Sequence, residues 1–302
     1  ISSLYSNTEG GDNVAIGCAS LINNTTASNN VAVGFRTMQA NTTGASNTAL
    51  GYNALNDNTT ATDNTAIGAY ALDANTTGAS NTAVGDEALG ANTTGADNTA
   101  VGYLSLCANT TGENNAALGV TSLRANTTGG YNTAVGRQSL RNNTTANNNT
   151  AVGYFSLEAN TTGANNTAVG ASALDSNTTG ICLIAIGKGA LQANTTANNN
   201  TAIGNNALFD NTEGFSNVAI GAYAGQNVTT GDCNVLVGND AGENITTGNN
   251  NTVLGRGAGT DAVRNVTTGS NNIVLGNNTS ATAHIKIDWT VTSDLRDKTE
   301  IE

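Results

Sequence analysis

A glycine that follows two small or branched apolar residues recurs at a constant spacing through most of the chain. Fourteen consecutive intervals of 17 residues separate Gly17 from Gly255, and the next equivalent glycine, Gly276, comes four residues late. We expect the four extra residues to form a bulging loop around 261–264. A constant period of this length is typical of solenoids, in which each repeat forms one coil and stacks on the next.

Within one period, for example residues 98–114, apolar residues occur in two short runs separated by glycine, asparagine and threonine. The first run ends at Val101, just before the repeat glycine, and the second ends at Leu106. Such runs between turn-forming residues predict β-strands, and about five Asn or Thr per period disfavour a helix. The sequence therefore predicts two strands and two turns per coil, and an all-β fold in which 17-residue coils build a parallel β-solenoid, or β-roll.

Stacked coils also predict a rod with ladders of like residues. Coils ~4.8 Å apart would extend roughly 70 Å over fifteen repeats. The chain has no proline, which is expected where backbone N–H groups pair with the adjacent coils. Two files of asparagine side chains should hydrogen-bond along the axis. They are Asn30, Asn47, Asn64 and Asn81 in one file and Asn41, Asn58, Asn75 and Asn92 in the other.

Both faces of the first strand are restricted in residue type. The residue before each repeat glycine is aliphatic, and the one before that is alanine in 13 consecutive units from Ala15 to Ala219. Since successive strand side chains point to opposite faces, we expect the aliphatic residue to fill the coil interior together with Leu89, Leu106 and their equivalents. The alanine is then expected to contact a neighbouring chain, with a tight contact inside the coil as the alternative. About three apolar residues per coil would stabilise a lone solenoid weakly, so self-association is expected.

The repeat changes towards the C-terminus. Glycine replaces the leucine of the second run at Gly225, Gly242 and Gly259, while larger apolar residues replace an asparagine and the strand alanine. The new apolar residues are Val228, Ile245 and Val266 at the asparagine position and Leu236, Val253 and Val274 at the alanine position. We therefore divide the chain into a lead-in (1–12), regular repeats (13–221), variant repeats with an altered cross-section (222–276), a neck (277–292) and a final segment (293–302).

Composition and charge exclude several classes of protein. Only 38% of the residues are apolar and 4% aromatic, which is too few for ordinary globular cores. The formal net charge of -12 is spread along the chain, so there is no basic face for a nucleic acid. No run approaches the roughly 20 apolar residues of a membrane span, and no signal peptide is recognised. The chain begins at Ile1 without a methionine, and we expect it to be a piece of a longer or processed protein.

Metal, cofactor and catalytic patterns are weak, and we expect no metal and no cofactor. The single histidine, His284, is expected to be a neck residue because one imidazole builds no metal cluster.

The cysteines are too far apart to form a disulfide within the chain. Cys182 and Cys233 share a register but lie three coils, or ~14 Å, apart. We expect the four cysteines, which include Cys18 and Cys107, to be free thiols that act as small apolar fillers. The adjacent acids Asp86 and Glu87 are interpreted as a solvated corner rather than a glycosidase pair.

Aromatic residues form a stripe just after the repeat glycines. Seven of the 11 Phe and Tyr residues lie one or two places after such a glycine: Phe35, Tyr52, Tyr70, Tyr103, Tyr154, Phe155 and Tyr223. Their rings are candidates for stacking on the sugar rings of a host surface, because an aromatic face is apolar and a tyrosine hydroxyl still hydrogen-bonds. The alternative is that they cover exposed glycine backbone or pack between chains.

The strand motif resembles that of a known family. Asn-Val-Ala-Ile-Gly at 13–17 and 217–221, with Asn-Thr-Ala-Val-Gly in other units, is similar to the repeated strand of trimeric autotransporter adhesin heads, which are left-handed parallel β-rolls. The resemblance covers residues 13–276 and differs in its longer period. It implies an extracellular homotrimer.

A second resemblance lies at the C-terminus. Ser293-Asp294-Leu295-Arg296-Asp297-Lys298, followed by Thr299 to Glu302, resembles the start of the endosialidase-type intramolecular chaperone of phage tail fibres and tailspikes. That family trimerises the fibre and then cleaves itself from it. The resemblance implies Ser293 as the nucleophile of cleavage at the Ser293–Asp294 step, and Lys298 as the amine that activates it. A surface turn is the alternative.

Together these features predict a structural rod of an extracellular fibre, from a phage tail or an injection particle, that attaches to a glycan or protein receptor of a host. Apart from one self-cleavage, no enzymatic activity is expected. One alternative is a segment of a polysaccharide-degrading tailspike. Another is an ice-binding solenoid, which is disfavoured because Thr76 and Thr77 are adjacent and would point in opposite directions.

Overall fold

The structure is a computed structural model of the chain, and it describes residues 2–261 and 265–280. Across these residues, sixteen three-residue strands form one parallel sheet in which each strand pairs with the next along the chain, and no residue is helical. The predicted all-β parallel solenoid with 17-residue coils is confirmed. The strands are β1 (Val14–Ile16), β2 (Val31–Val33), β3 (Thr48–Leu50), β4 (Thr65–Ile67), β5 (Thr82–Val84), β6 (Thr99–Val101), β7 (Ala116–Leu118), β8 (Thr133–Val135), β9 (Thr150–Val152), β10 (Thr167–Val169), β11 (Ile184–Ile186), β12 (Thr201–Ile203), β13 (Val218–Ile220), β14 (Val235–Val237), β15 (Thr252–Leu254) and β16 (Ile273–Leu275).

The register of the sheet is constant along the stack. In β6 and β7, for example, Ala100 lies opposite Ala117, one repeat later. The longer interval before β16 leaves this pattern intact, since Thr252 pairs with Ile273. An antiparallel bridge joins Thr260 to Asn265, at the place where the bulging loop was predicted; residues 262–264 of that loop lie outside the described residues.

The second predicted strand of each coil is wrong. In its place is a turn segment, defined as the seven residues after the repeat glycine, 103–109 in the coil of Gly102. Leu104 and Leu106 have φ values of 54° and 53°, in the left-handed region that non-glycine residues seldom occupy. The N–H groups of the turn segment donate in both directions along the axis of the stack. Leu104 donates to Asp86 O in the preceding coil at 3.0 Å, and Leu106 donates to Ser122 O in the following coil at 3.0 Å.

The expected orientation of the strand is also wrong. The strand alanines from Ala32 to Ala219 are fully buried in one cluster with the leucines of the turn segments, such as Leu106. The aliphatic residue before each glycine points outward instead, and Val101 is 37% exposed. The turn segment packs across a narrow interior from the strand, so a leucine on one side leaves room for only a methyl group on the other. The alanines therefore make tight contacts within their own chain.

The variant coils keep the interior filled by exchanging large and small side chains. A Cβ atom added to Gly225 would lie 2.5 Å from Leu236 Cδ1, so the leucine of the strand occupies the space that the leucine of the turn segment leaves. Val228, at the former asparagine position, is fully buried as well. The predicted shift of the apolar contact within the coil is confirmed, and the sheet register continues through it, with Ala219 opposite Leu236.

The two predicted asparagine ladders are confirmed and fully buried. Asn98 Nδ2 donates to Gly112 O at 2.9 Å and its N–H donates to Asn81 Oδ1 at 3.0 Å. Asn109 Nδ2 donates to the same Gly112 O at 3.0 Å and to Asn92 Oδ1 at 2.8 Å. Each coil is thus closed on itself and joined to its neighbour by the same amides, which satisfies polar groups that the interior would otherwise leave unpaired.

The four cysteines are free, as predicted, but they are not buried fillers. Cys18 and Cys107 are partly exposed, and Cys182 and Cys233 are exposed. None of the described residues belongs to a helix with the length and hydropathy that a membrane span requires.

Candidate ligand-binding site

Two sets of outward side chains differ in how much they vary along the stack. The strand face consists of the two outward residues of each strand, such as Thr99 and Val101, and in all sixteen strands these are Thr, Val, Ile, Leu or Ala. The turn face consists of the residues one, two and five places after the repeat glycine, and these vary from coil to coil. Every Lys and Arg of the described residues lies on the turn face: Arg36, Arg124, Arg137, Arg141, Lys188 and Arg256. Positions that vary within an otherwise constant repeat are where recognition is expected.

Three of the predicted aromatic residues come together at one end of the turn face. The ring centroids of Phe35 and Tyr52 are 5.4 Å apart with an interplanar angle of 11°, and those of Tyr52 and Tyr70 are 5.3 Å apart at 68°. The Arg36 guanidinium lies 5.1 Å from the Phe35 ring centroid. All three rings are partly exposed, so successive coils build an aromatic platform. Tyr103 and Tyr223 are exposed on other coils, and sugar binding by these residues stays a prediction.

A cavity of about 300 Å³ adjoins this platform. It is lined by Tyr70, Asp73, Glu87, Gly90, Ala91 and Cys107. The cavity exists because Gly90 has no side chain at the position where the adjacent coils carry Asp73 and Cys107. Burial, followed by the negative charge of Glu87, raises the pKa of the Cys107 thiol. The thiol is therefore neutral at pH 7, and it lies 3.8 Å from Glu87 Oε2.

Asp73 is expected to make stability depend on pH. Burial, with a smaller effect from Asp57, raises the pKa of Asp73 from 3.8 to about 6. Because the folded pKa is the higher one, its stabilising contribution is present below pH 4 and is lost as the pH rises through 6. We therefore expect Asp73→Asn to be more stable than the parent at pH 7.5 and no more stable at pH 4, as measured by urea unfolding. Asp97→Asn, at an exposed position, is the control; an equal gain at both pH values would contradict the assignment.

The middle of the turn face carries a cluster that the sequence analysis missed. Arg124 and Arg141 line a second cavity, of about 250 Å³, with Ala108, Ala125 and Asn142. Arg141 Nη1 lies 3.2 Å from Glu158 Oε1. The sequence did contain a signal for this cluster, because Arg124 and Arg141 are separated by one 17-residue period. That spacing places them on adjacent coils.

A second aromatic pair lies on the turn face of the coil that follows Arg141. The Tyr154 and Phe155 centroids are 3.9 Å apart at 59°, and the Arg137 guanidinium lies 5.8 Å from the Tyr154 centroid. Two of the predicted aromatic residues thus meet next to a cation. Positive charge and an exposed aromatic surface therefore occur on consecutive coils of the turn face.

The other predicted sites are not brought into the cavities. Glu87 lines the first cavity but its neighbour Asp86 does not. Ser293, Asp294 and Lys298, together with His284 and the neck, lie outside the described residues. Among residues 2–261 and 265–280, no group of three or more His, Cys, Asp or Glu side chains is arranged to hold a metal ion. Comparison of the chain with protein-family models and with curated proteins finds no match in either.

Proposed function

We propose that this protein is the structural rod of an extracellular fibre, assembled as a homotrimer, that holds a host-binding surface at a fixed distance. The observation that carries the proposal is the strand face, which is exposed, uncharged and continuous over all sixteen strands in constant register. A second chain with the same coil spacing matches that register at every level. The resemblances to trimeric adhesin heads and to the chaperone of phage fibres support a third copy and a fibre on a virion or injection particle.

The strand face is large enough for a stable interface. Sixteen strands at ~4.8 Å with two outward side chains each cover roughly 75 Å by 10 Å, or about 750 Å² per chain. That is close to the ~800 Å² per partner of a standard protein interface. Ile16, Leu118 and Ile186 are 60%, 41% and 39% exposed in the single chain, and an apolar patch of this extent on a soluble protein usually marks an interaction site.

The mechanical role follows from the bonds between coils. Each coil is joined to the next through the sheet, the turn segment and two asparagine ladders. Bending the rod in any direction would stretch the bonds on its convex side, so the stack resists bending. With the strand faces turned towards the trimer axis, the turn faces remain outside for a glycan or protein receptor.

Light scattering with size exclusion tests the assembly, and we expect three times the 30.2 kDa mass of one chain. A variant with Val84→Glu, Val101→Lys and Leu118→Glu alternates opposite charges along one chain, which favours the single solenoid. At a threefold axis it brings three like charges together at each level. We expect the mass of one chain with an unchanged circular dichroism spectrum.

The matched control places the same charges on exposed corner threonines, in Thr77→Glu, Thr94→Lys and Thr111→Glu, and should leave the trimer intact. A parent chain that is already monomeric, or a strand-face variant that stays trimeric, would contradict the proposal.

One observation favours ice binding as a second function. The threonines of β3 to β6, Thr48, Thr65, Thr82 and Thr99, form a regular file on the strand face, which the comparison of Thr76 with Thr77 did not consider. Thr76 Oγ1 itself donates to Thr93 O at 3.0 Å. Ice binding needs the strand face open, whereas a trimer buries it. Thermal hysteresis in solutions of a monomeric chain would favour this alternative.

A further inference from the structure

The arginine cluster is unusual against the charge of the whole chain. The protein has 10 Lys and Arg residues against 22 Asp and Glu. Arg124, Arg137 and Arg141 nevertheless fall within two consecutive coils on the turn face. A compact group of cations on an acidic rod creates a local positive potential that attracts an anionic group to this place.

Two of these arginines occupy equivalent positions in adjacent coils. Because β7 and β8 pair in constant register, Arg124 and Arg141 are neighbours in the stack, at roughly the ~4.8 Å spacing of the strands. Like charges in neighbouring positions of a ladder repel each other. Both side chains line the same cavity, whose remaining walls are Ala108, Ala125 and Asn142, so no acidic side chain lines it.

The charges on either side of the pair differ. Arg141 is neutralised by Glu158, at 3.2 Å. On the other side, the residue equivalent to Arg124 in the preceding coil is Cys107, whose thiol is held neutral because burial and Glu87 raise its pKa. No ion pair of Arg124 occurs within the described residues. An anion in the cavity would neutralise Arg124, the member of the pair that has no acidic partner.

The aromatic pair on the next coil indicates which chemical group the anion is attached to. Tyr154 and Phe155 lie on the turn face of the coil that follows Arg141, and Arg137 already packs over the Tyr154 ring. Guanidinium groups bind carboxylates through paired hydrogen bonds, and aromatic rings stack on the apolar faces of sugars. A ligand that satisfies both elements has a carboxylate attached to a sugar ring.

We propose that Arg124 and Arg141 bind the carboxylate of an acidic sugar in a host surface glycan, while Tyr154 and Phe155 pack against its ring. The inference rests on the proposed host-attachment function and names the ligand class of its turn face. The two arginines alone would also bind a sulfate or phosphate ion. The experiment therefore compares an acidic sugar with inorganic sulfate.

Calorimetry on the full chain in its native assembly tests the site. The probes are a glucuronate-containing tetrasaccharide, the same tetrasaccharide with its carboxylates reduced to alcohols, and inorganic sulfate. We expect the acidic tetrasaccharide to bind at least tenfold more tightly than either of the others, and its affinity to fall as NaCl is raised. Arg124→Gln should weaken it at least tenfold. The control is Arg36→Gln, which removes a turn-face arginine that packs on the Phe35 ring and has no second arginine at the equivalent position of an adjacent coil.

Three results would overturn the inference: equal affinity for the neutral tetrasaccharide, equal affinity for sulfate, or an Arg124→Gln variant that binds like the parent. The proposed rod fails separately, because the strand-face variant reports assembly without touching the arginines. If that variant is monomeric and still binds the acidic sugar, both proposals stand. If the parent is monomeric and binds it, only the trimeric rod fails.

Discussion

Replacing Gly102 by alanine is expected to destabilise the solenoid by more than ~3 kcal/mol. Gly102 has a φ of 131°, and an added Cβ would lie 2.6 Å from Gly119 O and 2.7 Å from its carbonyl carbon. That φ is almost restricted to glycine. The clash is with backbone of the next coil, which side-chain rotation does not relieve. Urea unfolding followed by circular dichroism would measure the loss.

Gly90→Ala is the matched control because it adds the same methyl group to a turn segment. Its Cβ would lie 3.4 Å from Glu87 O and 3.5 Å from Tyr70 O, which is ordinary contact, and Gly90 has no positive φ. We expect a change within ~1 kcal/mol, with a small gain because alanine restricts the unfolded chain. Similar losses in the two variants would show that the stack does not depend on close backbone contact at the repeat glycine.

Asn109→Asp is expected to cost about 3 kcal/mol or more at pH 7, although the two side chains are nearly the same size. Asn109 is fully buried, and its Nδ2 donates to Asn92 Oδ1 at 2.8 Å and to Gly112 O at 3.0 Å. The substitution puts a carboxylate oxygen against both acceptors. Only the donation from Asn126 Nδ2 to the other oxygen, 2.9 Å in the parent, is retained.

This loss should depend on pH. Burial raises the pKa of the introduced carboxyl group above its unfolded value of ~3.9. The variant should therefore be least destabilised below pH 4 and lose stability as the pH rises, which unfolding at pH 4 and pH 7 would show. Asn148→Asp is the control, since Asn148 is exposed and Asp63 and Asp97 occupy equivalent positions in other coils. A pH-independent loss would contradict a buried carboxylate.

The chain itself shows how a ladder ends at the cost of one unpaired acceptor and without a buried charge. Asn211 is the last asparagine of its file, because the next coil carries Val228, and Asn211 Oδ1 is buried without a partner. In the other file a fully buried leucine, Leu183, interrupts the amides, and its N–H still donates to Asn166 Oδ1 at 3.0 Å. An apolar residue removes donor and acceptor together, whereas Asp adds a charge and an extra acceptor.

The period, register and ladders of the fold could be predicted from the sequence because each depends only on spacing. The spacing does not decide which face of the strand is buried, because strand alternation only separates the side chains into two faces. Whether Ala100 or Val101 points into the coil depends on the leucine that packs opposite the strand. The turn segment was mistaken for a strand because the positive φ of Leu106 is imposed by bonds to both adjacent coils. A signal was available in the glycines at the leucine position of the variant coils, Gly225 and Gly242, since glycine adopts positive φ freely.

The candidate site was predictable only in part. Spacing placed Phe35, Tyr52 and Tyr70 on one side, and in the structure Phe35 stacks on Tyr52 while Tyr70 meets Tyr52 edge to face. The cavity at Gly90 depends on side chains in three successive coils, and a motif search along the sequence does not compare those. The positions of Arg124 and Arg141 on adjacent coils follow from their separation of 17 residues, just as the aromatic stripe follows from the spacing of its residues.

The constant register has a consequence for how such a protein can change length. Losing or duplicating one 17-residue unit would restore the strand pairing across the junction, because each strand meets its neighbour in the same alignment. Recombination between repeats would therefore lengthen or shorten the molecule in steps of ~4.8 Å and bring different turn-face residues next to each other. The length of the rod and the ligand specificity of its turn face would then evolve by gain, loss or exchange of whole coils, and the packing of the strands would not have to change.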